Sequence, residues 1–373
     1  KEVKNYLYFQ RMQRRVEKEY ANKLLQIKSF LNKVEPNKVV LCGDRHLQYE
    51  PVLISECVAR HIPLVVPPVS VFDLPGQLAK QRANDIHGRY YIDGNYQCDL
   101  RGVFNGTETN SRAVSIYLPW VVNALSNMGI LSQNPWVLGG SGHVDMLVSG
   151  DLPRDLLIAS GVPEARVYVT GDFEFDELFA CIENKELRRL ELINKYHLDH
   201  KLRCVAVSLP QWLEHNFADE ELHWSSIDHI CSVVSTLNEN VLISLHPKMN
   251  PTQYEPILAK YNLTRIMEPL ADWLPICDVL IASQGSSTHL WAMITKIPIL
   301  VIDWIGLQND PFGISAGKTY VTEKEKLEGS VARLLGDAFM YDCLVNQQIK
   351  LRAGFIVDDN QLTLARIVKH LMR

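Results

Sequence analysis

Short apolar runs alternate along the chain with longer segments in which apolar residues recur at helical spacing. In the C-terminal half the runs are "LRCVAVSLP", "NVLISLHP", "DVLIAS" and "IPILVID", and helical patterns such as 218–237 and 251–261 lie between them. The N-terminal half repeats the rhythm with "KVVLCGDRH", "PVLISECVAR" and "IPLVVPP". Strands that alternate with helices predict a parallel sheet covered by helices on both faces. We therefore predict an α/β protein built from two Rossmann-like, doubly wound domains.

The same pattern predicts four segments. Residues 1–34 contain no Gly or Pro and have apolar residues at helical spacing, which predicts one long amphipathic helix. Residues 35–178 and 179–320 are the two Rossmann-like domains, because a chain of 373 residues is long for a single core. Residues 321–373 are a helical tail that packs back on the domains. The opening helix is expected to contact the first domain, a neighbouring domain, a second subunit or a membrane surface.

Composition limits the classes of function. The formal net charge of −5 argues against a general nucleic-acid binder, which is typically basic. The eight cysteines include no CxxC pair, and several lie in apolar patterns, which favours a reducing, cytoplasmic setting without a structural zinc site. No His, Cys, Asp or Glu cluster has the spacing of metal ligands. We expect neither a metal nor another cofactor.

Polar residues concentrate where the predicted strands end, and open parallel sheets bind ligands at the carboxyl ends of their strands. The strand pattern "LISL" runs directly into His246, Pro247 and Lys248. A cationic His or Lys that hydrogen-bonds a phosphate oxygen contributes about 1.5–3 kcal/mol. Pro247 would fix the turn that holds the imidazole. Taken alone, a histidine at a strand end is more often an ordinary surface residue.

The second polar strand end is "QGSST", which follows "DVLIAS". After Gln284, Gly285 lets the backbone pass close to a ligand, and Ser286, Ser287 and Thr288 supply hydroxyls at the first turn of a helix. Such a turn favours an anion, although serine and threonine are also ordinary helix caps. Since both polar ends belong to one predicted sheet, we predict that they bind one nucleotide phosphate.

These motifs resemble those of a known enzyme class. The C-terminal half resembles the nucleotide-sugar-binding half of GT-B glycosyltransferases. "HP" at 246–247 and "SST" at 286–288 are similar to the paired motifs of bacterial sialyltransferases, polysialyltransferases and capsule Kdo transferases. Residues 143–178 resemble the interdomain segment shared by many GT-B enzymes and the UDP-N-acetylglucosamine 2-epimerases. The likeness rests on motifs over residues 140–310 and on architecture elsewhere.

The resemblance implies two domains facing a central cleft, with a CMP-sugar phosphate held by His246 and the hydroxyl run and with no bound metal. It also implies that the loop Met267–Leu270, with Met267, Glu268 and Leu270, grips the nucleobase through backbone groups. Glu268 would then hold the ribose.

The catalytic group is expected in the N-terminal domain. Asp44 and His46 in "GDRH" end its first strand, where either could deprotonate an acceptor hydroxyl, a contribution of about 10²–10⁴-fold. Asp44 could equally cap the following helix. Sialyltransferases of this type carry two consecutive acids before a glycine. Asp93 in "YIDGN" matches only in part, because Ile92 stands where an acid is expected and Asp-Gly is a common turn pair.

Two further carboxylates are candidates if the reaction retains configuration. A double displacement, as in the capsule Kdo transferases, needs an Asp or Glu as nucleophile near the anomeric carbon. Glu214 in "LPQWLEHN" and Asp172 in "TGDFEFD" are placed for that role. Gln211 and His215 could contact the donor sugar.

The leading hypothesis is a glycosyltransferase that moves Kdo or another nonulosonic acid from a CMP-activated donor to a glycan or glycolipid acceptor, in bacterial surface polysaccharide synthesis. It would act in the cytoplasm or peripherally at the inner face of the membrane, without a nucleic-acid partner. One alternative is a sugar-nucleotide epimerase or hydrolase resembling UDP-N-acetylglucosamine 2-epimerase, although the Arg-Pro-Glu segments of those epimerases are missing. A second alternative is a non-catalytic scaffold with the same fold.

Overall fold

The computed structural model describes residues 2–45, 48–68, 75–92, 103–107, 110–307, 316–357 and 362–372. The chain forms two compact units: unit 1 is Lys1–Asp172 with Leu362–Arg373, and unit 2 is Phe173–Gln361. The sequence pattern places the boundary after residue 178, whereas the structure divides the chain after Asp172. The reason is the helix Phe173–Glu183, which belongs entirely to unit 2. No helix of the described residues has the length and apolar character needed to span a bilayer.

Helices and strands alternate through most of the described chain. The helices are α1 (Glu2–Val34), α2 (Glu50–Ala59), α3 (Pro75–Ala83), α4 (Pro119–Asn127), α5 (Asp151–Ala159), α6 (Phe173–Glu183), α7 (Lys185–Tyr196), α8 (Glu220–Ser235), α9 (Pro251–Lys260), α10 (Leu270–Trp273), α11 (Thr288–Ile294), α12 (Leu327–Gly336), α13 (Ala338–Arg352) and α14 (Thr363–Leu371). The strands are β1 (Val39–Val40), β2 (Leu64–Val66), β3 (Val103–Thr107), β4 (Asn110–Ser115), β5 (Val144–Val148), β6 (Val167–Val169), β7 (Cys204–Ser208), β8 (Asn240–Ser244), β9 (Thr264–Arg265), β10 (Val279–Ser283), β11 (Ile299–Ile302) and β12 (Lys318–Val321).

Unit 1 contains a parallel sheet in the order β1-β2-β5-β6 and a separate antiparallel hairpin, β3-β4. The strand order follows the chain order, so the described part of this sheet has no point at which the winding reverses. The long helix α1 packs against α4 and α2. The final helix α14 also belongs to this unit, where Ile367 packs with Val65 and Leu147.

Unit 2 contains one parallel sheet in the order β12-β11-β10-β7-β8-β9. From β7 the chain winds outward to β9, returns to the other side of β7 at β10, and winds outward again to β12. This is the strand order of a Rossmann domain, with its switch point between β7 and β10. The predicted α/β architecture with parallel sheets in two domains is confirmed.

The four inner strands of unit 2, β7, β8, β10 and β11, are buried on both faces because their side chains alternate between two cores. In β7, Val205 and Val207 enter one apolar cluster, whereas Cys204 and Ala206 enter the other. Alternation of this kind is what the two-residue period of a strand requires when helices cover both faces of a sheet. The sheet is therefore rigidly held, and its polar loops lie at the strand ends.

Candidate functional site

The switch point of unit 2 defines the candidate site. Open α/β sheets bind ligands outside the carboxyl ends of the strands, at the point where the strand order reverses. Here that point lies between β7, which leads into "LPQWLEH", and β10, which leads into "QGSST". His246 follows β8, the neighbour of β7 on its other side. The backbones that carry His246 and the hydroxyl run are thus two strand spacings, about 10 Å, apart.

The loop after β10 supplies hydroxyls to this point. Gly285 has φ of +83°, a left-handed conformation that favours glycine. The Ser286 Oγ and Thr288 Oγ1 atoms are 2.7 Å apart, and Ser286 Oγ also accepts a hydrogen bond from the Thr288 N–H at 3.4 Å. Ser287 precedes α11, but its hydroxyl makes no capping hydrogen bond. Helix capping therefore does not account for the Ser287 hydroxyl.

His246 is half-buried and is held in one tautomer. Its Nδ1 accepts a hydrogen bond from the Lys248 backbone N–H at 3.1 Å, so in the neutral ring the proton lies on Nε2. Burial, and then the Lys248 charge, lower the pKa of His246, while Glu214 opposes the shift. The sequence suggested a cationic His246, whereas this environment favours the neutral ring, which can donate a hydrogen bond through Nε2–H. Pro247 and Lys248 are both exposed in the turn that follows.

Glu214, after β7, is anchored by a buried hydrogen-bond chain. The Tyr254 hydroxyl donates to Glu214 Oε1 at 2.7 Å, and His223 Nε2 lies 2.9 Å from the same hydroxyl. Because the hydroxyl has one proton, His223 must donate to it through Nε2–H. Burial lowers the pKa of His223 and so favours this neutral form, against the influence of Glu214. This series of hydrogen bonds fixes Oε1 of Glu214. It leaves Oε2 of Glu214 without a hydrogen-bond partner among the described residues.

Unpartnered buried polar atoms cluster at these strand ends. Those in the loops after β7, β10 and β11 that lack a hydrogen-bond partner within the described chain are Gln211 Oε1, Trp212 Nε1, Glu214 Oε2, Gln284 Oε1 and Trp304 Nε1. The rings of Trp212 and Trp304 contact each other edge to face, with centroids 6.1 Å apart. The His215 ring stacks on Phe217 and meets that of His246 at 6.4 Å between centroids. Buried polar groups without partners are rare in folded proteins and often mark a ligand site.

His289 is a polar residue at this site that the sequence analysis did not select. It directly follows the hydroxyl run and is 4% exposed. Neither ring nitrogen has a hydrogen-bond partner of good geometry among the described residues, although the Ser283 backbone lies near enough to exert a weak hydrogen-bond effect. Burial, followed by the Lys318 charge, lowers the pKa of His289 to about 3, against a smaller opposing effect of the Ser283 backbone. His289 is therefore neutral at physiological pH. In the sequence, its position directly after the Ser-Ser-Thr run, in "SSTH", was the feature that could have pointed to His289.

The predicted nucleobase loop, Met267–Leu270, is not adjacent to the hydroxyl run in the sheet order. It follows β9, the edge strand beside β8, and is three strand positions from β10. The Glu268 carboxylate accepts hydrogen bonds from Lys195 and Tyr196, which outweigh the effect of burial and hold the pKa of Glu268 below its usual range. Met267 is 67% exposed and its backbone N–H donates to the Tyr196 hydroxyl at 3.0 Å, while Leu270 is buried. The structure brings this loop beside the His246 loop, not beside the hydroxyl run.

Asp44 of unit 1 anchors a glycine-rich loop. Its carboxylate oxygens accept hydrogen bonds from the backbone N–H groups of Gly139 at 2.8 Å and Ser141 at 3.2 Å. It does not cap the following helix, which begins at Glu50 after Tyr49. Asp44 also lines a pocket of about 340 Å³ along α2. Its other described polar lining residues are Ser55, Tyr117, Ser132, Gln133, Ser141 and His143, and the rest of the described lining is apolar apart from Gly129.

Three predicted catalytic residues remain, Asp172, His46 and Asp93. Asp172 is buried at the end of unit 1, directly before α6. His46 and Asp93 lie outside the described residues. In the part of the chain that the structure describes, no group of three or more His, Cys, Asp or Glu side chains could hold a metal ion.

Comparison with known proteins identifies the fold. No protein-family model and no curated protein matches the sequence. Among solved structures, S. aureus MnaA with UDP has 14% identity and a TM-score of 0.54 over 95% of this chain and 80% of that one. UDP-GlcNAc 2-epimerase from Neisseria meningitidis bound to UDP-GlcNAc has 13% identity and a TM-score of 0.53 over 95% of this chain and 81% of that one. The wall teichoic acid polymerase TagF (H444N with CDPG) has 12% identity and a TM-score of 0.52 over 84% of this chain and 67% of that one. The chain thus has the GT-B fold.

Proposed function

We propose that the protein is a nucleotide-sugar-dependent glycosyltransferase whose donor binds at the carboxyl ends of β7, β8 and β10 in unit 2. The observation that carries the proposal is the group of buried, unpartnered polar atoms at the sheet's switch point, beside a run of hydroxyls. A ligand with several hydrogen-bonding groups would satisfy these atoms, and a nucleotide phosphate suits the hydroxyls and the Nε2–H of His246. The fold, shared with nucleotide-sugar-binding proteins, supports the same class of ligand.

The charge of the site favours a donor with one phosphate. His246 and His289 both have lowered pKa values and are neutral, which leaves the exposed Lys248 as the cation of these loops. At the phosphate group itself a CMP-sugar carries one negative charge, whereas a UDP-sugar carries two. The carboxylate of a nonulosonic acid adds a second charge to a CMP donor, but on the sugar and not at the phosphate. We therefore propose a CMP-linked donor, with Kdo or another nonulosonic acid as the sugar.

Catalysis would use Glu214 on the donor side. Its Oε1 is held by Tyr254, and its Oε2 is free to act as a nucleophile in a retaining reaction or as a base in an inverting one. We propose that the acceptor, a glycan or glycolipid, binds unit 1. The pocket beside Asp44 combines hydroxyl-bearing and apolar side chains, and among its described lining residues the charged or titratable ones are Asp44, Tyr117 and His143. We further propose a cytoplasmic location.

The first test is nucleotide binding. Thermal unfolding with CMP, UDP, CDP and GDP should give the largest stabilisation with CMP. His246→Ala should weaken CMP binding about 10- to 150-fold, the equivalent of one hydrogen bond to a charged oxygen. His200→Ala is the matched control, because that side chain is 74% exposed and lies outside the site. Equal CMP binding by both variants, or no stabilisation by any nucleotide, would remove the proposal.

The second candidate is an epimerase or hydrolase acting on a UDP-sugar. The solved epimerase structures with similar folds favour it. Incubation with UDP-N-acetylglucosamine and no acceptor separates the two reactions. Release of UDP or formation of the 2-epimer would support this candidate, whereas an intact UDP-sugar together with acceptor-dependent release of CMP would support the transferase.

A further inference from the structure

The opening helix α1 has two opposite faces. Its buried side chains include Phe9, Val16, Tyr20, Ile27 and Leu31, which at 100° per residue fall within an arc of about 60°. This face packs on α4 and α2 of the same unit. The opposite face of the helix is therefore the one left to solvent.

That opposite face is basic and apolar. Leu7, Arg11, Arg14 and Lys18 lie within another arc of about 60°, opposite the buried one, and Arg15 lies beside them. Leu7 is 61% exposed, and the four basic side chains are exposed as well. None of these four forms an ion pair with a described residue. We call these five residues the basic face.

Neighbouring acids form no ion pair with the basic face. Glu17 accepts hydrogen bonds from Gln13 and Asn127, and Glu19 pairs with Lys23 at 2.7 Å. The basic face therefore presents four positive charges on a chain whose formal net charge is −5. A local excess of this sign, against the charge of the whole chain, indicates an anionic partner.

Apolar side chains at the same end of the helix indicate what kind of anion. Beside Leu7, Tyr6 is 50% exposed and Tyr8 is 55% exposed, and the Tyr8 ring contacts Trp120 edge to face. Tyrosine, leucine and arginine together suit the boundary between lipid headgroups and acyl chains, where aromatic and aliphatic groups insert and cations meet phosphate. A nucleic acid would use the charges but would not bury Leu7.

We propose that the basic face of α1 binds the surface of an anionic membrane, with Leu7 entering the headgroup region and with Tyr6 and Tyr8 flanking the contact on either side of the helix. Each arginine or lysine near such a surface strengthens binding by about fivefold. The proposal does not depend on the nucleotide site in unit 2. It would bring the pocket of unit 1 to a membrane if the acceptor is a glycolipid.

The test is co-sedimentation of the full chain with vesicles of phosphatidylcholine alone or of phosphatidylcholine with about one third anionic phosphatidylglycerol, because exposed Lys and Arg are attracted to an anionic lipid surface. The protein should pellet only with the anionic vesicles, and 0.5 M NaCl should release most of it because salt screens exposed charges. The triple variant Arg11→Glu, Arg14→Glu, Lys18→Glu should lose at least about 100-fold in partitioning. Leu7→Asp should also weaken binding.

The matched control reverses three exposed basic residues of unit 2, Lys201→Glu, Arg333→Glu and Lys350→Glu, and should bind vesicles like the unaltered chain. Circular dichroism and the midpoint of thermal unfolding verify that each variant is folded. Equal pelleting with both vesicle types, or unchanged binding by the triple variant, would overturn the proposal. So would binding to RNA or to a protein partner through the basic face in the absence of vesicle binding.

Discussion

The buried ring of His289 should make unit 2 acid-sensitive. This residue lies at the start of α11, is 4% exposed, and has a pKa lowered to about 3, first by burial and then by Lys318. A histidine in an unfolded chain titrates near 6.5. Between these two values the unfolded chain binds a proton that the folded chain does not bind. Stability should therefore be complete above pH 6.5 and fall as the pH drops below it.

The size of this effect follows from the two pKa values. At pH 5 an unfolded histidine is almost fully protonated, which stabilises the unfolded state by about 1.5 pH units at 1.36 kcal/mol each, or about 2 kcal/mol. At pH 8 the same contribution is close to zero. His223 and His246 also have lowered pKa values, so the unaltered protein should lose more than this amount in total. A difference between two variants isolates the share of His289.

The assay is urea unfolding at pH 8 and pH 5, followed by tryptophan fluorescence, with the transitions of the two units fitted separately. Between these pH values, His289→Leu should lose about 2 kcal/mol less stability than the unaltered protein. His200→Leu changes an exposed histidine and should behave like the unaltered protein. If His289→Leu does not fold, His289→Gln serves the same purpose. If His289→Leu and the unaltered protein lose the same stability between pH 8 and pH 5, His289 is protonated or solvated in the folded state. The reasoning would then be wrong.

Three other substitutions test the contacts around the two candidate regions. Tyr254→Phe removes the hydroxyl that donates to the carboxylate of Glu214, and urea unfolding should show a loss of about 2–4 kcal/mol in unit 2, because two buried partners are left unsatisfied. Asp44→Asn replaces an acceptor of two backbone N–H groups by a side chain that can accept only one in that geometry. Its cost in unit 1, read from thermal unfolding, should be about 1.5–3 kcal/mol. Gly285→Ala, at φ of +83°, should cost about 1–2 kcal/mol and weaken CMP binding, whereas Gly329→Ala, in an open helical position, should do neither. Unchanged stability in any of the first three would contradict the contact assigned to it.

The fold was predictable because local periodicity and capping signals agree with it. The helix expected over 218–237 is Glu220–Ser235, and it begins where Asp219 accepts a hydrogen bond from the Leu222 N–H. The helix expected over 251–261 is Pro251–Lys260, which begins after Asn250 in the same way. Cap residues and period-two apolar runs are short-range signals, so a single sequence contains them.

The order of the strands within the sheet could not be predicted from the sequence. The pattern shows one strand between "HPK" and "QGSST", whereas in the sheet β9 lies at the edge and β7 lies between β8 and β10. Which strands become neighbours depends on long-range pairing and not on local composition. That pairing makes the loop after β7, with Gln211 and Glu214, the centre of the candidate site, and it moves Met267 away from the hydroxyl run.

Whether a polar side chain is available for chemistry also depends on contacts that are distant in sequence. Glu268 and Glu214 look alike as acids after strands, yet Lys195 and Tyr196 engage the carboxylate of Glu268, whereas Tyr254 engages only one oxygen of Glu214. A carboxylate paired with a cation gains little by exchanging that cation for a ribose hydroxyl. A carboxylate with one fixed oxygen and one unpartnered buried oxygen gains a hydrogen bond, or reacts, when a ligand arrives. This difference is why Glu214 is the stronger candidate for a role in the reaction, although nothing in the sequence separates it from Glu268.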